Sequence, residues 1–248
     1  MAVRSSRNRQ MSLTQDLVAL CERPEPIIGG DPRFTPITVE AREKLAEKLL
    51  IELGDGELWV FAYGSLIWKP SFEHVEERSG LLHGWHRSFC LELVSWRGTP
   101  EQPGLMMALD RGGQCRGVVY RLAHDQRNKA VHALLEREIT TVEDIVMARW
   151  GHVETPVGAV LSLVFWAGPT GIGVSRKLPL QAVARVLARA CGYAGSNASY
   201  LYNTVVKLEE FGIRDRNLWM LQKLVADEIR SLHGDRMQST PPIRGAES

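Results

Sequence analysis

The sequence VFAYGSL at residues 60–66 determines how the surrounding region folds. Its apolar first half predicts a buried strand, and its Tyr-Gly-Ser half predicts that the strand ends in a turn. A glycine at a strand end lets backbone amides come close to a ligand, and the Ser65 hydroxyl adds a further polar group. Such groups can bind a carboxylate or stabilise an oxyanion. The alternative is a purely structural turn, and this spacing alone does not separate the two.

The pattern on either side of this stretch predicts an α+β fold. Short apolar, aromatic or β-branched runs separated by Gly and Pro are typical of strands, and runs with helical periodicity alternate with them. We therefore expect a small closed or nearly closed sheet with helices packed around it. The predicted strands are 58–66, 84–94, 105–109, 115–122 and 159–166, and the predicted helices are 125–138, 180–191, 197–211 and 217–232.

The chain divides by composition into three parts. Residues 1–56 form an N-terminal extension with a disordered start and one helix, which begins after Thr38 as N-cap and ends at Leu53 before Gly54. Residues 57–232 form the main domain, and residues 233–248 form a flexible C-terminal tail. Because residues 1–36 are polar and rich in Pro, we expect their deletion to leave folding and turnover largely intact.

Overall composition narrows the class of protein. The 248 residues include 30 Lys and Arg against 29 Asp and Glu, and a net charge of +1 indicates neither a nucleic acid nor an anionic membrane as partner. No run approaches the roughly 18 apolar residues of a membrane span, and no signal peptide is recognisable. The four cysteines lie far apart, which predicts neither a metal site nor a disulfide framework. These features together favour a cytoplasmic protein.

Glu138 is the strongest candidate for a catalytic residue. It follows Val131, Leu134 and Leu135 at helical spacing, so its carboxylate lies on the apolar face, whereas Glu136 and Arg137 are expected to point away. Burial and the negative end of the helix dipole both raise the pKa of a carboxyl toward the range of a general acid or base. The alternative is a structural ion pair with Arg87 or Arg149.

Other reactive residue types give weaker signals. His83 and His86 resemble a metal pair, but residues three apart on a strand face opposite sides of the sheet. The Gly-rich segment 168–173 lacks the Lys and the following helix of a phosphate loop. Cys90 stands between apolar residues and is expected to be a core thiol.

Several separated motifs resemble the ChaC-like γ-glutamyl cyclotransferases, in order, from about Leu58 to Leu224. They are Tyr63-Gly64-Ser65-Leu66-Ile67-Trp68, Gly84-Trp85-His86-Arg87-Ser88-Phe89-Cys90, Arg97-Gly98-Thr99, Gln102-Pro103-Gly104, Gly117-Val118-Val119-Tyr120-Arg121-Leu122, Arg137-Glu138, and Gly195-Ser196-Asn197 with Tyr200-Leu201.

The resemblance implies a γ-glutamylcyclotransferase-like fold and a lyase that converts glutathione to 5-oxoproline and cysteinylglycine without a cofactor or metal. It assigns the acid/base role to Glu138, while Arg87 and Arg97 are candidates for holding a substrate carboxylate or are structural. Leu105 and Val174 depart from the family pattern. The substrate could therefore be another γ-glutamyl peptide or amine, or the chain could be a non-catalytic binding or regulatory protein with the same fold. The oligomeric state, monomer or dimer, is also left open. The substrate-binding residues implied are Val60, Phe61, Ala62, Tyr63, Gly64, Ser65, Leu66 and Arg97.

Overall fold

Five strands close into a barrel. The strands are β1 (Trp59–Ala62), β2 (Glu76–Leu93), β3 (Gly104–Arg121), β4 (Ala148–Thr155) and β5 (Gly158–Phe165), joined in the order β1-β3-β2-β4-β5. Strand β1 is antiparallel to β3 and parallel to β5, and the remaining pairs are antiparallel. The computed structural model describes residues 10–237, with side chains to residue 234, and it confirms the predicted α+β class with a small closed sheet.

Strand β3 replaces the two separate strands predicted at 105–109 and 115–122. It stays continuous because Gly112 and Gly113 adopt positive φ angles of 100° and 71°, opposite Gly84 with φ 80° on β2. The register shifts between His83 and Trp85 at this point. Glycines at a bulge let the pair of strands bend without losing their pairing, so the glycines that resembled a strand break form a bend instead.

Strand β4 was missed by the sequence prediction. Only Val153 is buried among its eight residues, so the strand shows no alternating apolar pattern. Its place in the sheet comes from antiparallel pairing with β5 along its whole length.

Seven α-helices lie along residues 10–237. Helix α2 (Val39–Leu53) begins after Thr38, whose side chain accepts a hydrogen bond from the Ala41 amide, and ends at Leu53 before Gly54, as predicted. No helix in this part of the chain is long and apolar enough to cross a membrane. The helices are α1 (Gln15–Ala19), α2 (Val39–Leu53), α3 (Ser65–Trp68), α4 (Arg127–Glu138), α5 (Leu180–Arg189), α6 (Asn197–Glu210) and α7 (Arg216–Met237).

Alternate residues of β1 pack into two different cores. Trp59 and Phe61 belong to a small cluster with side chains from all five strands, which fills the barrel. Val60 and Ala62 point to the opposite face and join the larger core between the barrel and the helices. This period of two explains why the apolar run at 59–62 is buried on both faces.

Residues 11–22 pack against the main core, which argues against the prediction that residues 1–36 can be deleted without loss of folding. Leu13 and Leu17 are fully buried or nearly so, and they pack in the larger core. The Gln222 side chain accepts hydrogen bonds from the amides of Ser12 and Leu13, and the Glu22 carboxylate accepts them from the amide and hydroxyl of Ser196. The short apolar spacing of α1 was too weak to be recognised as a helix.

The extension therefore contains two helices, α1 and α2, where one was expected. At the other end, α7 continues to Met237 and includes the first residues assigned to a flexible tail. Residues 1–9 and 238–248, where the disordered start and the rest of the tail were predicted, lie outside the described residues.

Candidate active site

Glu138 is the last residue of α4, and its side chain is 22% exposed at a pocket beside the barrel. Desolvation of the carboxyl raises its pKa above the ordinary value of 4.5, and the charge of Arg137 opposes that rise. Arg87 and Arg149 do not pair with Glu138. Arg87 binds Asp215, and the Arg149 guanidinium stacks on Trp85 and Trp166.

Arg137 lies beside Glu138 rather than away from it. Its Nε is 3.0 Å from Oε1 of Glu138, while one terminal nitrogen donates to Ser65 Oγ at 2.8 Å and the other to the Lys69 carbonyl. Helical periodicity places the Cα of Arg137 off the apolar face, but the long side chain reaches back to the pocket.

The turn after β1 forms the second wall of the pocket. Tyr63, Gly64, Ser65 and Leu66 line it opposite Glu138, and Ser65 begins helix α3. The Tyr63 carbonyl accepts a 2.6 Å hydrogen bond from Arg87, whose side chain is 3% exposed. Arg87 is therefore a buried structural residue that fixes the turn.

Val60, Phe61 and Ala62 have no exposed surface and do not line the pocket. In this arrangement they hold β1 in the barrel, and the wall that a ligand can reach begins at Tyr63. Their direct contact with a substrate stays a prediction from the resemblance.

Tyr200 of α6 lines the pocket, and its place in the motif at residues 195–201 had indicated no role for it. Its ring packs edge-on against Trp68 and Phe89, with centroids 5.8 and 5.9 Å away. Burial, then the nearby Glu138 charge, raises the pKa of Tyr200 to about 12, and the same two causes raise that of Tyr63. Both phenols are therefore neutral hydrogen-bond donors near pH 7.

Arg97 supports this wall from behind. Its guanidinium stacks 5.4 Å from the Tyr200 ring and 5.9 Å from Trp68, and it donates to the Ser196 carbonyl at 2.9 Å. It does not line the pocket, so its role in holding a substrate carboxylate stays a prediction.

The far wall of the pocket is apolar. The pocket has a cavity volume of about 50 Å³ and is partly open to solvent. Leu105 is buried and Val174 packs beside Leu91, so neither lines the pocket. The residues of the far wall are Leu91, Met106, Met107, Ala108, Met147, Phe165 and Trp166.

The weaker candidates are all accounted for in other ways. His83 contacts Glu154 and His86 contacts the Gly112 carbonyl, each at 3.0 Å, so the two rings have separate partners. Cys90 is a fully buried thiol whose pKa is raised by desolvation, as expected for a core residue.

Comparison with known proteins identifies the family. The model for ChaC-like protein matches residues 58–228. A glutathione-specific γ-glutamylcyclotransferase of Escherichia coli (strain K12) is 37% identical over 175 residues, which is 70% of this chain and 75% of the relative. Glutathione-specific γ-glutamylcyclotransferase 1 of Mus musculus is 32% identical over 154 residues, or 60% of this chain and 69% of the relative.

A solved structure agrees with the architecture. The crystal structure of a yeast γ-glutamyl cyclotransferase specific to glutathione superposes with a TM-score of 0.62 at 20% identity, covering 69% of this chain and 96% of that one. That likeness confirms the predicted fold. The chain belongs to the ChaC-like protein family.

Proposed function

We propose that this protein is a γ-glutamyl cyclotransferase that converts glutathione to 5-oxoproline and cysteinylglycine. One observation carries the proposal: Glu138, with a raised pKa, shares a pocket with the Tyr63–Leu66 turn. The substrate named for the relatives that this chain resembles in sequence supports the same activity.

The reaction needs proton transfer more than it needs a nucleophile from the protein. The α-amine of the γ-glutamyl group attacks its own γ-carbonyl carbon, and the C–N bond to the cysteinyl nitrogen then breaks. Since both reacting groups belong to one molecule, correct folding of the substrate in the pocket supplies a high effective molarity. Glu138 removes a proton from the α-ammonium and later donates it to the departing amine.

The opposite wall is suited to negative charge. At the start of the four-residue helix α3, the Ser65 amide and hydroxyl hydrogen-bond with the neutral Tyr200 hydroxyl, and the Leu66 amide has no intrahelical partner. These donors hold either the α-carboxylate of the substrate or the oxyanion formed at the γ-carbonyl.

The cysteinylglycine part of the substrate fits along the apolar far wall. Arg111 and Arg149 stack on Trp166 of that wall, with guanidinium carbons 5.3 and 5.8 Å from its ring, and both are exposed. We expect them to attract the terminal carboxylate of glutathione, which a γ-glutamylamine lacks. Because Arg137 is already paired with Glu138 and the described residues that line the pocket include no cation, another γ-glutamyl compound is the second candidate substrate.

The test is incubation of the wild-type protein with glutathione and measurement of 5-oxoproline, with a γ-glutamylamine in parallel. Release of 5-oxoproline from glutathione supports the proposal, and release only from the amine changes the substrate but keeps the reaction. Release from neither contradicts the activity. Since all four cysteines are free and buried, we place the reaction in the reducing cytoplasm.

A further inference from the structure

Arg137 connects Glu138, at the end of α4, to the α3 segment about 70 residues earlier in the sequence. Its guanidinium contacts Ser65 and Lys69, which lie at the start of α3 and just beyond its end, and also Glu138 at the end of α4. One planar group thus sets the position of the α3 turn relative to the carboxylate. Arginine suits this task because its five donors form a rigid fork.

The same contact acts on the pKa of Glu138. Tyr63 at the end of β1 and Tyr200 of α6 face this carboxyl, and both are neutral near pH 7 because their pKa values are raised. Ser65 of α3 is neutral as well. Among the described residues, Arg137 is the group whose charge lowers the pKa of Glu138, against the desolvation that raises it.

The geometry leaves the carboxylate able to act. Arg137 Nε contacts Oε1 of Glu138 at 3.0 Å, and the carboxylate lines the pocket, where it can accept a proton from a substrate ammonium group. A carboxyl that was already protonated in the free protein would have no such capacity.

We propose that Arg137 is a positioning residue, which keeps Glu138 ionised in the free protein and holds it at a fixed place against the Tyr63–Leu66 turn. This inference rests on the proposed cyclotransferase function. Arg137 acts through Glu138 and the turn, so its effect should be separable into a charge part and a geometry part.

Two substitutions separate those parts, and Lys129→Gln is the matched control. Lys129 is exposed on the same helix and undergoes the same loss of charge. Arg137→Gln removes both the positive charge and the guanidinium donors. Arg137→Lys keeps the positive charge, but a lysine cannot contact Glu138, Ser65 and Lys69 at the same time. For each variant, kcat and KM for glutathione are measured from pH 5 to pH 9, roughly the range in which a perturbed carboxyl titrates, together with thermal melts.

Arg137→Gln is expected to move the acid limb of kcat/KM to higher pH and to lower its plateau by about tenfold or more. Arg137→Lys should return the limb toward the wild-type position while the plateau stays low, and Lys129→Gln should match wild type. An unchanged acid limb in Arg137→Gln, with only a lower melting temperature, would show a merely structural role.

If Arg137→Gln does not fold, the Arg137→Lys variant tests the proposal. A kcat/KM plateau equal to that of wild type in this variant would contradict the claim that Arg137 positions Glu138 against the turn. Absence of 5-oxoproline release by the wild-type protein would instead count against the proposed function. The two failures are therefore distinguishable.

Discussion

The Tyr200 hydroxyl lies 3.0 Å from the position that a Cβ atom would occupy on Gly64. Real Cβ atoms rarely approach an oxygen so closely, and the Tyr200 ring is held by Trp68 and Phe89. Because residue 64 has no side chain, the Tyr200 hydroxyl can reach the turn after β1.

Gly64→Ala is accordingly expected to displace either the turn or Tyr200. We expect kcat/KM for glutathione to fall by ~10²-fold, because small misplacements at a reacting site have effects of this size. Gly171→Ala is the control, since a Cβ there meets no atom within 4 Å. Activity near wild type in Gly64→Ala would show that the close approach has no role in turnover.

The N-terminal segment should contribute to stability through its buried leucines. Leu17 is 2% exposed in the main core, so Leu17→Ala is expected to lower the free energy of unfolding by about 2–5 kcal/mol. Gln15 lies on the exposed side of the same helix, so Gln15→Ala should change the free energy of unfolding by less than about 0.5 kcal/mol. Denaturant unfolding of the full chain measures both, and equal midpoints for the two variants would mean that α1 is not part of the cooperative core.

The charge of Glu138 should reduce stability at neutral pH. Since the folded-state pKa is raised, the favourable contribution of the neutral carboxyl is present below about pH 4.5 and is lost as the pH rises through the raised value. Glu138→Gln removes this loss, so its Tm should exceed that of wild type at pH 8. The difference should shrink toward pH 4, and a clearly lower Tm at pH 8 would contradict the assigned pKa direction.

Arg111 and Arg149 should affect glutathione more than a γ-glutamylamine. The double substitution Arg111→Met and Arg149→Met is expected to raise KM for glutathione by roughly 2- to 10-fold, because exposed ion pairs contribute modestly. The amine, which lacks the terminal carboxylate, should be unaffected. Competition between the two substrates gives the ratio of their kcat/KM values directly. The same ratio in the double variant as in wild type would show that these arginines do not contribute to substrate selection.

Sequence reasoning singled out Glu138 as the candidate acid/base because helical periodicity is a local property. Glu138 shares a face with Val131 and Leu134 in any regular helix, so its burial follows without knowledge of the tertiary fold. The helix cap at Thr38 and the strand before Tyr63 were predictable for the same reason.

The contacts that complete the pocket are not local. Arg137 was expected to point away from the apolar face of its helix, but its side chain donates a hydrogen bond to Ser65, a residue 72 positions earlier. Tyr200 reaches Gly64 only because the barrel and α6 are packed together, and no spacing in the sequence encodes that distance. Strand β4 likewise depends on its pairing with β5 rather than on its own pattern.

The central claim is that Glu138 transfers the protons, and Glu138→Gln tests it most directly. Glutamine has nearly the same shape and no charge, so the pocket should keep its form while proton transfer is lost. The exposed Glu136→Gln on the same helix is the matched control. The measurement is single-turnover release of 5-oxoproline from glutathione by the two variants, after thermal melts show both folded. The account predicts a ~10²- to 10⁴-fold loss for Glu138→Gln with Glu136→Gln near wild type. Turnover by a folded Glu138→Gln protein within a few-fold of wild type would contradict it.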